Sequence, residues 1–264
     1  VARHTIRNGL IALLVGVLVV PTCLVAAVTV DASVATSAPI IRVRAFVQHA
    51  ATASTNWSGY GIAGSFTSVS GSWTVPTVSP STVPTYSSTW IGIDGLANRN
   101  LIQTGTESDF VNGHARYDAW WEVLPAAEKV IVSVPVNPGD HVSASIARTT
   151  GKNAGKKWTI VLTDTTSSTS FSFTRSYRGP GSSAEWIQER PQLGRTLSSL
   201  ASYGSVTFSG ITANGTDPRL TAAAAISMVS STGTQVISAP SAPSALGDAF
   251  SVAFGALAPA APPG

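Results

Sequence analysis

Histidine, cysteine, methionine and charge are all scarce in this chain. Of 264 residues four are His, one is Cys and one is Met, and only 11% are charged. The sole cysteine, Cys23, falls in an apolar N-terminal stretch, so the region beyond it has no thiol nucleophile and no disulfide. Only His114 and His141 lie in the body of the chain, with neither an H-E-x-x-H string nor clustered ligands, and no metal site or cofactor is expected. A Ser-His-carboxylate hydrolase would show G-x-S-x-G, which is absent. A two-Asp peptidase would show Asp-Thr-Gly or Asp-Ser-Gly, and the nearest string, Asp164-Thr165-Thr166, lacks the glycine. Gly59-Tyr60-Gly61-Ile62-Ala63-Gly64 has dinucleotide-type spacing but no helix pattern follows it, and Gly151 to Lys157 departs from a phosphate loop.

Charge is also unevenly placed. The formal net charge of +3 includes Arg3, Arg7, Arg42 and Arg44, leaving the remainder nearly neutral. Lys152, Lys156 and Lys157 gather in a Gly-containing stretch between two strand-like runs and read as a hairpin turn. No aromatic and basic stripe accompanies them, so no nucleic-acid partner is expected. Residues 1–27, with a cationic start, the apolar run Leu10 to Val20 and small residues up to Ala27, read as a secretory signal peptide. Pro21 cuts the apolar run short of a membrane span, so no membrane association is expected after cleavage. Residues 28–53 read as a linker or short propeptide, 54–256 as one domain, and the Ala/Pro-rich 257–264 as a disordered tail.

What the chain has in quantity is β-branched, small and aromatic residues, including seven Trp. Short strand-like segments separated by turns recur from Trp57 to Phe254, the pattern of an all-β sandwich or barrel. They include Trp57 to Ala63, Ser88 to Ile93, Arg116 to Leu124, Val130 to Val136, Ala184 to Gln188 and Ala249 to Phe254. A weak helical period runs from Gly194 to Ser202. Alternation assigns faces, because successive strand side chains point to opposite sides. Trp90, Gly92 and Asp94 share one face, opposite Ile91 and Ile93. Asp118, Trp120 and Glu122 share a face, as do Glu185, Ile187 and Glu189. One sheet face is thereby expected to collect carboxylates and aromatics, as a binding groove would. A carboxyl group against aromatic surface loses hydration and its pKa rises, which suits a group that both takes and gives a proton. On these residues alone a hydrolase and a polysaccharide-binding or polysaccharide-cleaving module both stay open.

Four strings carry a resemblance: Trp90-Ile91-Gly92-Ile93-Asp94-Gly95, Leu101-Ile102-Gln103-Thr104-Gly105, Tyr117-Asp118-Ala119-Trp120-Trp121-Glu122 and Ala184-Glu185-Trp186-Ile187. Together they resemble the glutamic peptidases of family G1, the eqolisins. Asn56-Trp57-Ser58-Gly59 and Tyr203-Gly204-Ser205-Val206-Thr207-Phe208 support the likeness. The resemblance implies a concanavalin A-like lectin/glucanase sandwich of two curved antiparallel sheets, with substrate across the concave face. It implies a catalytic pair at Gln103 and Glu185, with Trp57 and Trp120 packing against substrate and Asp94 and Glu122 orienting the pair or the peptide. Glu185 would be ionised at rest, take a proton from water and return it to the leaving amine, while Gln103 donates to the oxyanion. The expected protein is a secreted, monomeric endopeptidase working at acid pH on protein or peptide substrates, insensitive to pepstatin. Val123-Leu124-Pro125 after Glu122 departs from the family's more aromatic run, which affects subsite preference.

Overall fold

Strands of alternating burial account for nearly all regular structure in the computed structural model, which describes residues 53–151 and 155–263. The expected leader and, apart from Ala53, the expected linker lie outside the described residues, as does Lys152. In chain order the strands are β1 (Ala53–Ser54), β2 (Trp57–Ala63), β3 (Ser68–Thr74), β4 (Ser88–Ile93), β5 (Ile102–Val111) and β6 (His114–Val123). They continue with β7 (Lys129–Val130), β8 (His141–Arg148), β9 (Lys157–Asp164), β10 (Thr169–Ser176), β11 (Ser183–Glu189) and β12 (Gln192–Leu193). The remainder are β13 (Thr196–Leu197), β14 (Ser205–Ala213), β15 (Ala225–Val229), β16 (Val236–Pro240) and β17 (Phe250–Phe254). A single 3-10 turn, Ala222–Ala224, interrupts them among the described residues.

One layer has the order β15-β2-β11-β4-β5-β6-β7 and the other β10-β9-β8-β3-β14, with β17 and β16 linking β14 to β15. Pairing is antiparallel except for the short parallel contact of β1 with β15. The layers pack face to face, β3 and β8 over β4, and β11 over β3. Between them lies an apolar core containing Tyr60, Trp73, Ile91, Ile93, Ile102, Ile146, Ile160, Trp186, Phe208 and Phe250. Phe208 stacks on Phe250 at a centroid distance of 5.0 Å. Two indoles cross the interface and satisfy their N–H groups there: Trp73 Nε1 donates to Thr106 Oγ1 at 2.9 Å, and Trp186 Nε1 to the Ser70 carbonyl at 2.8 Å. Both bonds place a buried donor that would otherwise be costly.

The outer face of the second layer explains the low charge. Ser209, Ser72, Ser143, Thr163 and Ser170 form a transverse row across five strands. Neighbouring hydroxyls pair along it and beside it, as with Ser70 and Thr212 at 2.7 Å and Thr163 and Ser170 at 2.8 Å. Hydroxyls here fill the solvent-facing positions that sheets more often give to charges.

Several expectations change. The strand expected over Val130 to Val136 shrinks to β7; beyond it Ile131, Val134 and Val136 are buried without a ladder, because the chain turns and Pro135 supplies no N–H. The helical period from Gly194 to Ser202 is instead the end of a two-stranded hairpin, β12 with β13, turning at Gly194 with φ 61°. β5 extends beyond the expected Leu101 to Gly105 segment to Val111, and β16 carries no strong sequence signal. The tail from 257 to 263 has no strand.

Candidate active site

The face of the first layer turned away from the core is where the predicted residues meet. Ile91, Ile93, Ile102, Ala119, Val123, Ala184 and Trp186 point into the core. Alternation therefore sends Trp90, Gly92, Gln103, Trp120, Glu122, Glu185 and Ile187 to the other side. There Trp57, Trp90, Leu101, Trp120, Ile187 and Ile226 form a second apolar cluster. The face assignments made from sequence hold for β4, β6 and β11.

Register then aligns the polar residues. Glu185 is opposite Gly92, Gly92 opposite Gln103, and Gln103 opposite Glu122, so four adjacent strands place them in one transverse row. The Glu185 and Gln103 backbones are separated by two strand spacings, about 9.5 Å. Between them in the row stands Gly92, a residue without a side chain. Glu122, next in the row, accepts a hydrogen bond from Gln103 Nε2 at 2.6 Å. A carboxylate only accepts, so this contact directs the NH₂ end of the amide toward Glu122. One N–H of that group and Gln103 Oε1 remain for other partners.

Glu185 is fully buried, and apart from the Ser183 hydroxyl two residues before it on the strand its carboxyl oxygens have no hydrogen-bond partner; Gln103 Oε1 and Trp57 Nε1 have none. Burial pushes the Glu185 pKa well above the ordinary glutamate range; the Ser183 hydroxyl opposes the rise and the Asp94 charge adds to it. Two buried, unsatisfied polar groups in one row require a functional explanation, since native proteins leave few such groups unpaired.

Asp94 departs from the sequence expectation. Strand β4 ends at Ile93, and Asp94 takes a left-handed φ of 69°, which turns its side chain out of the Trp90–Gly92 alternation. Its carboxylate accepts from Tyr177 Oη at 2.6 Å, Gly181 N at 2.9 Å, Ser182 N at 2.8 Å, Ser182 Oγ at 3.0 Å and Asn98 Nδ2 at 2.8 Å. Burial, with the Asp94 bond added, drives the Tyr177 pKa far upward, so the phenol stays a donor. Asp94 thus staples residues 177–182, the segment that leads into β11 and Glu185. Asp94→Ala is expected to strand these donors and cost about 3 kcal/mol, read as a lowered urea midpoint with unchanged slope. An unchanged midpoint would show that the staple is dispensable.

Further along the face lie Glu107, Asp109, Asp118 and Glu189, residues that sequence reasoning left without a role. Arg116 answers part of this charge through an ion pair with Asp118 at 2.6 Å. Among the described residues no group of three or more His, Cys, Asp or Glu converges as a metal-ligand set. No helix among them is long and apolar enough to cross a membrane.

The peptidase A4 family matches this chain over residues 55–246. The chain belongs to that family, the G1 or eqolisin peptidases. The A4 match takes in every residue of the row and the whole apolar cluster beside it. Similar relatives are aspergillopepsin-2 of Aspergillus niger, 30% identical over 178 residues, and scytalidopepsin B of Scytalidium lignicola, 30% identical over 141 residues. The first alignment covers 59% of this chain and 62% of the relative, the second 53% of each, so the eqolisin chain described here spans less than two-thirds of the length of either relative. Among solved structures, scytalido-glutamic peptidase with a transition-state analog inhibitor superposes with a TM-score of 0.61 at 24% identity. That likeness covers 76% of this chain and 98% of the other and establishes the shared fold.

Proposed function

We propose that the chain is a secreted acid endopeptidase in which Glu185 moves the proton and Gln103 stabilises the oxyanion. The observation that carries this reading is the row Glu185, Gly92, Gln103, Glu122, in which the buried Glu185 carboxyl and Gln103 Oε1 keep unused hydrogen-bond capacity. A water held between them attacks the scissile carbonyl carbon and gives its proton to Glu185. The developing oxyanion accepts the Gln103 N–H that Glu122 leaves unused, and Glu185 then delivers the proton to the leaving nitrogen as the C–N bond breaks. The route consumes one water, yields a carboxyl and an amine, and needs no cofactor. Asp94 and Glu122 act as orienting residues, and Trp57 and Trp120 supply apolar wall for the peptide.

Burial sets the pH logic. Burial favours the neutral acid at Glu185, whereas the family resemblance implies an ionised resting form. Admission of water and peptide removes the desolvation that dominates the shift, and the carboxyl can then ionise in acid. The outer hydroxyl rows fit an acid habitat, because they acquire no charge as pH falls. Within this reading the sandwich is concanavalin A-like with its concave face toward the peptide, residues 1–27 are a signal peptide, 28–53 a linker or short propeptide, and the mature enzyme is a monomer.

Digestion of a denatured protein at acid pH in the presence of pepstatin tests the proposal, and absence of cleavage would refute it. Gln103→Ala is expected to lower kcat by about 10²- to 10³-fold, the loss seen when an oxyanion donor is removed. N-terminal sequencing of the secreted product should show residues 28–53 removed in wild type and retained in an inactive variant if the cut is autocatalytic. The aromatic face also fits a sugar, and glycan binding that survives loss of both Gln103 and Glu185 would favour a polysaccharide module.

A further inference from the structure

Trp90 lies on the same face as the row, one position toward the far end of the sheet, and its ring runs along β4. Its Nε1 donates to Glu189 Oε2 at 2.7 Å. The opposite edge of the indole overhangs Gly92: a Cβ built there would come within 2.8 Å of Trp90 Cζ3, 3.1 Å of Leu101 Cδ1 and 3.3 Å of the Ile102 carbonyl. One end of the ring is therefore anchored four residues beyond Glu185 on the same strand. The other end occupies the space beside the only side-chain-free position between Glu185 and Gln103. Trp57 packs edge-on against Trp90 at a centroid distance of 5.0 Å, which leaves the ring little room to swing. Trp90 and Glu189 are both fully buried.

We propose that Glu189 is a positioning residue for peptide hydrolysis: by accepting the Trp90 indole N–H it holds the ring edge against Gly92 and so fixes the floor of the gap across which Glu185 and Gln103 address one water and one carbonyl. The inference rests on the hydrolytic reading above. It follows from the geometry that the gap is fixed at both ends. Gly92, having no Cβ, admits the ring edge above its backbone, and Glu189 keeps the ring from sliding along the strand. A shift of the floor by a fraction of an ångström changes the approach of water to the carbonyl without removing any group that binds the peptide, so the effect belongs in kcat.

The experiment compares Glu189→Leu, Glu189→Gln and Gly92→Ala with wild type on one peptide substrate at acid pH, with thermal midpoints measured alongside. Glu189→Leu removes the acceptor at similar size and is expected to lower kcat roughly 10- to 100-fold with KM within about twofold. Glu189→Gln keeps an acceptor oxygen for the indole N–H and is expected to recover most of that loss. Gly92→Ala pushes the ring from its other end and should reproduce the kcat loss of Glu189→Leu. If Glu189→Leu does not fold, the Gln and Ala variants still decide. An unchanged kcat in Gly92→Ala, or a Glu189→Gln enzyme as slow as Glu189→Leu, overturns the proposal, the latter by showing that charge and not the indole anchor matters. A wild type that cleaves nothing refutes the hydrolytic reading itself, whereas an active wild type with insensitive variants refutes only the role of Glu189.

Discussion

Glu185→Gln is expected to leave a folded protein whose peptide hydrolysis is about 10³- to 10⁴-fold slower, the upper part of what one placed acid-base group supplies. Glutamine matches the carboxyl in shape but neither takes the proton of the attacking water nor returns it to the leaving nitrogen. The same substitution should change stability in a direction set by linkage. The folded-state pKa of Glu185 is raised by burial above its unfolded value. Its contribution is therefore fully present below the ordinary glutamate pKa and is lost as pH rises through the folded value, because the unfolded chain ionises first. Every tenfold difference in proton affinity between the folded and unfolded chain is worth about 1.4 kcal/mol. Wild type should thus lose more stability than Glu185→Gln between acid and neutral pH, and the variant's thermal midpoint should exceed that of wild type at neutral pH. An active variant would remove Glu185 from the mechanism. Parallel midpoint-versus-pH curves would show that its burial does not govern acid stability.

Trp186→Ala is the substitution expected to do most harm to the fold. Trp186 is fully buried between the layers, bonded to the Ser70 carbonyl, with its Cδ1 only 3.1 Å from where a Cβ on Gly71 would stand. Truncation removes a large apolar side chain and orphans a carbonyl, a loss of about 3 to 5 kcal/mol. For a domain of this size that corresponds to a fall in thermal midpoint of roughly 10 °C or more. Because Trp186 follows Glu185 on β11 and points to the opposite face, the variant should cleave within a few-fold of wild type at temperatures where it stays folded. A midpoint within a few degrees of wild type would mean that the layers do not depend on this clamp. Trp186→Phe, which keeps a ring in the space but not the N–H, should fall between the two.

Much of the site was legible in single strands. The two-residue period of Trp90 to Ile93, Tyr117 to Glu122 and Ala184 to Glu189 separates the core face from the opposite face correctly, because the pleat is a property of the local backbone. It failed at Asp94, where a left-handed residue ends β4 and the period with it. It failed again at 131–136, where apolar residues are buried by a turning chain without a ladder. The anchor from Glu189 to Trp90 had no sequence signal, since the two residues are 99 positions apart. An alternating pattern shows only that they could face the same side.

The sequence by itself determined that this protein is all-β and that Glu185 shares a strand face with Ile187 and Glu189, opposite Trp186. Only the tertiary structure decided that Glu185 and Gln103 share a row. Strand order β11-β4-β5-β6 and its register come from long-range pairing and from packing of one layer on the other, and a slip of one residue would send Glu185 into the core. Gly92 shows the division most plainly. In the sequence it is a small residue in a strand, and in the fold it stands between an acid and an amide with the Trp90 ring edge against it.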